Sequence, residues 1–229
     1  MAFSQYDRFL KEHVVINDTE ESKAIKSIGK QIAAAAQTYF EYKGLPHYLS
    51  DYAWEYNLVK DNQRNAWCMP GGKIVFYTGI LPVVKNTDGI AAITGHEVAH
   101  ALLDHDGQRM SISLAQQGLN LLAVKATEKQ PENKSKAILT AYGVGSTVGA
   151  VLPFSRKHES EADKIGLTLM TLAGFDPEED PKLWERMKAA SGGKAPPEIL
   201  STHPSNQRRI DDLKNWIPET QKQVAQIKG

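Results

Sequence analysis

The sequence predicts an α+β chain that is mainly α, and three observations carry the prediction. Apolar residues recur at three- and four-residue steps over most of the length. Only three short stretches alternate with period two, and these lie together ahead of the helical run through His96 and His100. The 229 residues, 41% hydrophobic and 24% charged, are expected to form one domain over 1–229 with a sizeable core, residues 1–18 being an N-terminal extension.

From Thr19 to Tyr42 the positions Ala24, Ile25, Ile28, Ile32 and Ala35 make one apolar stripe, and Gly44 with Pro46 ends the helix. Trp54, Tyr56 and Leu58 then alternate with their neighbours as in a half-buried strand. Ala66–Met69 and Lys73–Thr78 follow as strands, joined by Pro70-Gly71-Gly72, and the three are expected to form a small antiparallel β-meander. Thr87 and Asp88 suit a helix start, after which Ile90, Ile93, Glu97, His100 and Asp104 share a face. Further helices are expected over about 110–128, 135–151, 156–173, 178–190 and 205–216, with 191–201 a loop rich in Gly and Pro.

Composition excludes some partners. Lys plus Arg and Asp plus Glu balance at 27 each, so no net field draws in nucleic acid or anionic lipid. Cys68 is the single cysteine, which rules out an internal disulfide and fits a reducing cytoplasm or an envelope protein without bridges. Residues 1–7 do not read as a secretory signal. Residues 137–155 carry no formal charge but include three glycines and a proline, so membrane association is expected to be peripheral at most.

His96-Glu97-Val98-Ala99-His100 sets two imidazoles one helical turn apart, so both can face one metal while Glu97 reaches a water bound to it. The bland alternative is a surface helix carrying two histidines. A zinc site needs a third protein ligand from another element. Leu103 and Asp106 stand where a metzincin would have Gly and His, and His105 rotates away from the metal-facing side and reads as a capping or solvated residue. Glu159 and Asp163, at i and i+4, become the favoured source. Glu159 would bind metal and Asp163 would accept the spare N–H of a ligand histidine.

The blocks Asn65-Ala66-Trp67 with Pro70-Gly71-Gly72, His96 to His100, Ser155-Arg156 with Glu159 to Asp163, and His203-Pro204 with Arg209-Ile210 occur in an order that resembles a known family. It is the gluzincin family of CaaX prenyl proteases and HtpX-type proteases, in particular its soluble bacterial BepA-like branch. The resemblance implies a zincin-like catalytic domain holding one zinc ion per chain through His96, His100 and Glu159. It also implies that Glu97 is the general base and that protein or peptide substrates, including unfolded envelope proteins, are hydrolysed through a zinc-bound water. Envelope protein quality control follows as the expected role and the bacterial periplasm as the expected place, with the cytoplasm left open.

His203, ahead of Pro204, reads as an N-cap. With the resemblance added it is expected at the zinc, either stabilising the oxyanion or filling the open coordination position at rest. Arg209 is expected to anchor its helix to acidic groups. The strand through Asn65, Ala66 and Trp67 is the expected edge for an extended peptide, by β-augmentation. Residues 107–155, an insertion between ligand-bearing helices, are expected to act as a lid with Gly-rich 142–149 as its pliable part. Two rival readings stand beside the peptidase: a client-binding assembly factor, which would not need Glu97, and a hydrolase of non-peptide esters.

Overall fold

The computed structural model describes residues 2–147, 151–190, 203 and 207–229. Its elements run α1 (Ala2–Glu12), β1 (Val15–Ile16), α2 (Glu20–Tyr42), β2 (Glu55–Val59), β3 (Ala66–Met69), β4 (Lys73–Tyr77), α3 (Leu81–Val84) and α4 (Thr87–Leu102). They continue as α5 (His105–Thr127), α6 (Glu132–Ser146), α7 (Leu152–Leu172), α8 (Glu179–Ala190) and α9 (Gln207–Lys228). A mainly helical chain with one small sheet is therefore what the sequence folds into. The loop expected over 191–201, Pro204 and residues 148–150 of the Gly-rich stretch lie outside the described residues.

The chain forms two compact units, Met1–Leu103 with Glu161–Gly229, and Asp104–Ser160, and helix α7 runs unbroken across the boundary. In the first unit the strand order is β1-β2-β4-β3, with β2 parallel to β4 and both β1–β2 and β3–β4 antiparallel. The expected antiparallel meander is thus corrected to a mixed sheet. Alternation reports which face a residue occupies but not strand direction. Tyr56, Leu58, Ile74 and Phe76 join the main core with α2 and α4, while Val59, Val75 and Tyr77 pack beneath Tyr6, Phe9 and Leu10 of α1. A sheet covered on both faces accommodates the near-continuous apolar runs typical of parallel pairing.

Helix α2 approaches the sheet because Gly29 has no side chain: a Cβ there would sit 2.2 Å from the Tyr56 ring. Thr19 caps α2 by accepting from Ser22 N. Helix α4 starts at Thr87, where the sequence suggests, and Asn86 caps it, its side chain accepting from Gly89 N at 2.8 Å. It is buried from Gly89 to Leu102, so little of it can shift independently. Its last carbonyls are satisfied by tyrosines, Tyr48 Oη donating to Leu102 O at 2.7 Å and Tyr52 Oη to Ala101 O at 3.2 Å.

Helices α4 and α7 cross at Gly95 and Gly166, where an added Cβ would meet backbone atoms of the other helix at 2.7 Å and 2.8 Å. Two glycines are needed there, because any side chain would force the helices apart beside His96.

In the second unit, α5 and α6 form a helical pair, with Met110, Leu114, Leu121 and Leu122 exposed on α5. His105 is not solvated: it is 1% exposed and stacks on His158 at 4.0 Å. No described helix is long and apolar enough to cross a membrane.

Candidate metal centre

Helix α4 directs both of its histidines to one point. His96 Nε2 and His100 Nε2 lie 3.1 Å apart, and His203 Nδ1 lies 3.2 Å from His96 Nε2. The ligand atoms of His96, His100, Glu159 and His203 all fall within 4.8 Å of one another, and all four residues are buried. Zinc–nitrogen bonds of about 2.0–2.1 Å in a tetrahedron separate neighbouring donors by roughly 3.4 Å. The imidazole spacings are close to that value, so the residues present fit a metal.

His96 owes its orientation to α7. Its Nδ1 lies 3.0 Å from Asp163 Oδ1, and a carboxylate acceptor there keeps the proton on Nδ1 and turns the Nε2 lone pair towards the cluster. Glu159, one turn earlier on α7, accepts from Arg109 Nη2 at 3.1 Å. Glu97 is 3% exposed on α4, with Oε1 3.6 Å from His203 Nε2. It stands next to the ligand atoms without being one of them.

Arg209 grips Asp163 with two bonds, Nε to Oδ2 at 2.5 Å and Nη2 to Oδ1 at 2.6 Å. Its Nη1 donates to His203 O at 3.4 Å, linking the Asp163–His96 pair to the segment that carries His203. Burial alone would raise the Asp163 acid, but the Arg209 charge and the bond from His96 hold it below the ordinary value.

The sequence does not single out Trp184 or Asp180 on α8. Trp184 Nε1 donates to Asp180 Oδ1 at 3.0 Å, and the Arg209 guanidinium carbon sits 3.5 Å from the Trp184 ring centroid. A Trp and an Asp one turn apart are the only sequence signal, and any amphipathic helix can show it. Arg109, which holds Glu159, had no signal at all.

Burial, and secondarily the Asp163 charge, pushes the Asp180 acid up from 3.8 to about 7. A folded-state value above the unfolded one means that the stability from neutral Asp180 is complete below about pH 4 and lost as pH rises through 7. Asp180→Asn should therefore gain on the wild type as pH rises from about 4 to 7, by up to about 1.4 kcal/mol per pH unit, and hold that gain above 7. Thermal melts of the metal-free proteins check this, and parallel curves would refute it.

Of the expected substrate residues, Ala66 and Trp67 lie on β3, an outer strand of the described sheet, and Asn65 immediately precedes it. Trp67 turns to the α1 side, packs edge-on to Phe9 at 5.2 Å and donates Nε1–H to Tyr77 Oη at 3.2 Å. Ala66 faces the core, and Asn65 Oδ1 accepts from Ala66 N.

Similar proteins now bear on the identity. Mitochondrial metalloendopeptidase OMA1 of Schizosaccharomyces pombe is 41% identical over 76% of this chain and 49% of its own length. Human mitochondrial metalloendopeptidase OMA1 is 31% identical over 76% of this chain and 34% of its own. The β-barrel assembly-enhancing protease of Escherichia coli is 27% identical over 93% of this chain and 42% of its own. The chain thus spans about half or less of the length of these relatives. These identities do not support placement in the bacterial BepA-like branch. The expected bacterial periplasmic location is overturned, since the relatives at 31% to 41% identity are mitochondrial proteins of eukaryotes. Matched over residues 20–217, the chain belongs to peptidase family M48.

Proposed function

We propose that the chain is a zinc-dependent endopeptidase acting on protein substrates, with His96, His100 and Glu159 holding the ion. One observation carries the reading: three imidazoles and one carboxylate converge in a buried cluster with Glu97 beside it. Nitrogen donors with a single carboxylate form a borderline-soft set that suits zinc, one ion per chain. When bound, zinc polarises the scissile carbonyl and makes water a competent nucleophile near neutral pH.

The chain's own groups do the rest. Glu97 takes the proton of the attacking water and delivers it to the leaving amine. Asp163 keeps His96 in one tautomer and orientation. His203, with one ring nitrogen towards His96 and the other towards Glu97, would occupy a fourth position on the ion at rest and would stabilise the oxyanion when a substrate takes that position. An extended substrate would join the outer edge of the chain at Asn65, Ala66 and Trp67 as a further strand, with the Asn65 side chain, which accepts from Ala66 N, giving way to it.

The test is one set of assays on the purified chain. Zinc content should be one ion in the wild type and near zero in His96→Ala. A chelator should strip His203→Ala faster than wild type, and an unfolded peptide should be cleaved more readily than its backbone N-methylated form. A wild type without zinc, or a His96→Ala variant with full zinc, refutes the metal reading. Unchanged chelation of His203→Ala removes its role as a resting ligand, and equal cleavage of the two peptides removes the strand-addition role of β3.

A further inference from the structure

We infer that Trp184 is a positioning residue for the metal centre: its indole, tethered to Asp180, sets the plane of the Arg209 guanidinium and thereby the Asp163–His96 pair. This inference rests on the zinc reading proposed above and extends it to a residue on α8, which contributes no ligand.

Trp184 is 1% exposed, so packing alone would account for its burial, and its helix neighbours Leu183 and Met187 already serve the core. What packing does not explain is the company its ring keeps. One face carries a guanidinium 3.5 Å from the centroid, and the ring meets His96 edge-on at 5.3 Å and 69°. Its Nε1–H goes to a buried carboxylate one helical turn away, which prevents the indole from turning about its own bonds.

The consequence runs through a shared oxygen. Asp163 Oδ1 receives both Arg209 Nη2 at 2.6 Å and His96 Nδ1 at 3.0 Å, while Asp163 Oδ2 receives Arg209 Nε. Both Arg209 bonds require the guanidinium and carboxylate planes to stay aligned, because the five donors of arginine lie in a rigid planar fork. An aromatic face beneath the guanidinium holds that plane through cation–π attraction. Without it the fork can rotate, one of its bonds lengthens, and the oxygen that orients His96 moves with it. Changes to residues that orient metal ligands commonly weaken metal binding about 10–100-fold.

The experiment measures zinc affinity by competition with a chromophoric chelator, alongside melting of the metal-free proteins. The proteins are wild type, Trp184→Phe, Trp184→Leu, Arg209→Lys and the double variant Trp184→Leu with Arg209→Lys. Trp184→Leu should bind zinc about 10-fold or more weakly. Trp184→Phe, which keeps a ring face but loses the tether to Asp180, should show a smaller, severalfold loss. In the Arg209→Lys background the Leu change should cost little more, because both changes break the same connection. Wild-type affinity in Trp184→Leu overturns the inference, as does an equal loss from that change in both backgrounds. Should Trp184→Leu fail to fold, wild-type affinity in Trp184→Phe overturns it, and a severalfold loss there supports it. A wild type that binds no zinc removes the metal reading and this inference together, whereas tight wild-type binding with indifferent variants removes this inference alone.

Discussion

Glu97→Gln should keep its full zinc content and lose peptide hydrolysis by about 10²–10⁴-fold in kcat, the range associated with removing a general acid–base group. Glu97 is 3% exposed and is not one of the four clustered ligand residues, so an amide of the same shape leaves His96, His100, Glu159 and His203 as they are. Glutamine can still accept a hydrogen bond but cannot take a proton near neutral pH. The loss should therefore fall in kcat, with KM and chelator kinetics little changed. The assay is turnover of an unfolded protein substrate, with zinc measured on the same sample. Activity within about tenfold of wild type, with zinc present, would remove Glu97 from proton transfer. It would also favour the client-binding reading, in which the metal serves structure.

The helical skeleton and the metal-facing residues were legible in the sequence because local spacing encodes them. The stripe of Ile25, Ile28 and Ile32 in α2 and the turn between His96 and His100 both follow from 3.6 residues per turn. Strand order was not legible, since alternation in β2 and β4 records only the faces, and both faces turned out to be covered. The Gly95–Gly166 crossing was invisible for a different reason. A glycine inside a helical pattern signals close approach without naming its partner, which here lies on α7. Trp184 and Asp180 were hidden by their ordinary setting, because an indole facing the core and one facing a guanidinium give the same pattern. The compartment was misread because the matched blocks are those the chemistry of the family needs. They carry no address, and the chain is similar both to a mitochondrial protein and to a bacterial one.

Arg209→Leu should lower the unfolding free energy of the metal-free protein by about 3–5 kcal/mol, the cost expected when one partner of a buried ion pair is removed. Arg209 is 6% exposed and bonds both oxygens of Asp163, which is 2% exposed, so leucine would leave a carboxylate in the interior without its counter-charge. The remaining donor, His96 Nδ1, satisfies Oδ1 and leaves Oδ2 without the Arg209 bond. Arg209→Lys should cost less, since the charge is kept while the two-pronged geometry is lost. Pairing Arg209→Leu with Asp163→Leu should recover part of the loss, because the orphaned charge is then gone. Denaturant unfolding in the presence of a chelator separates this effect from metal binding. A loss below about 1 kcal/mol for Arg209→Leu would place the pair with surface ion pairs. The two-bond grip would then not be what joins α9 to the helix that carries Asp163.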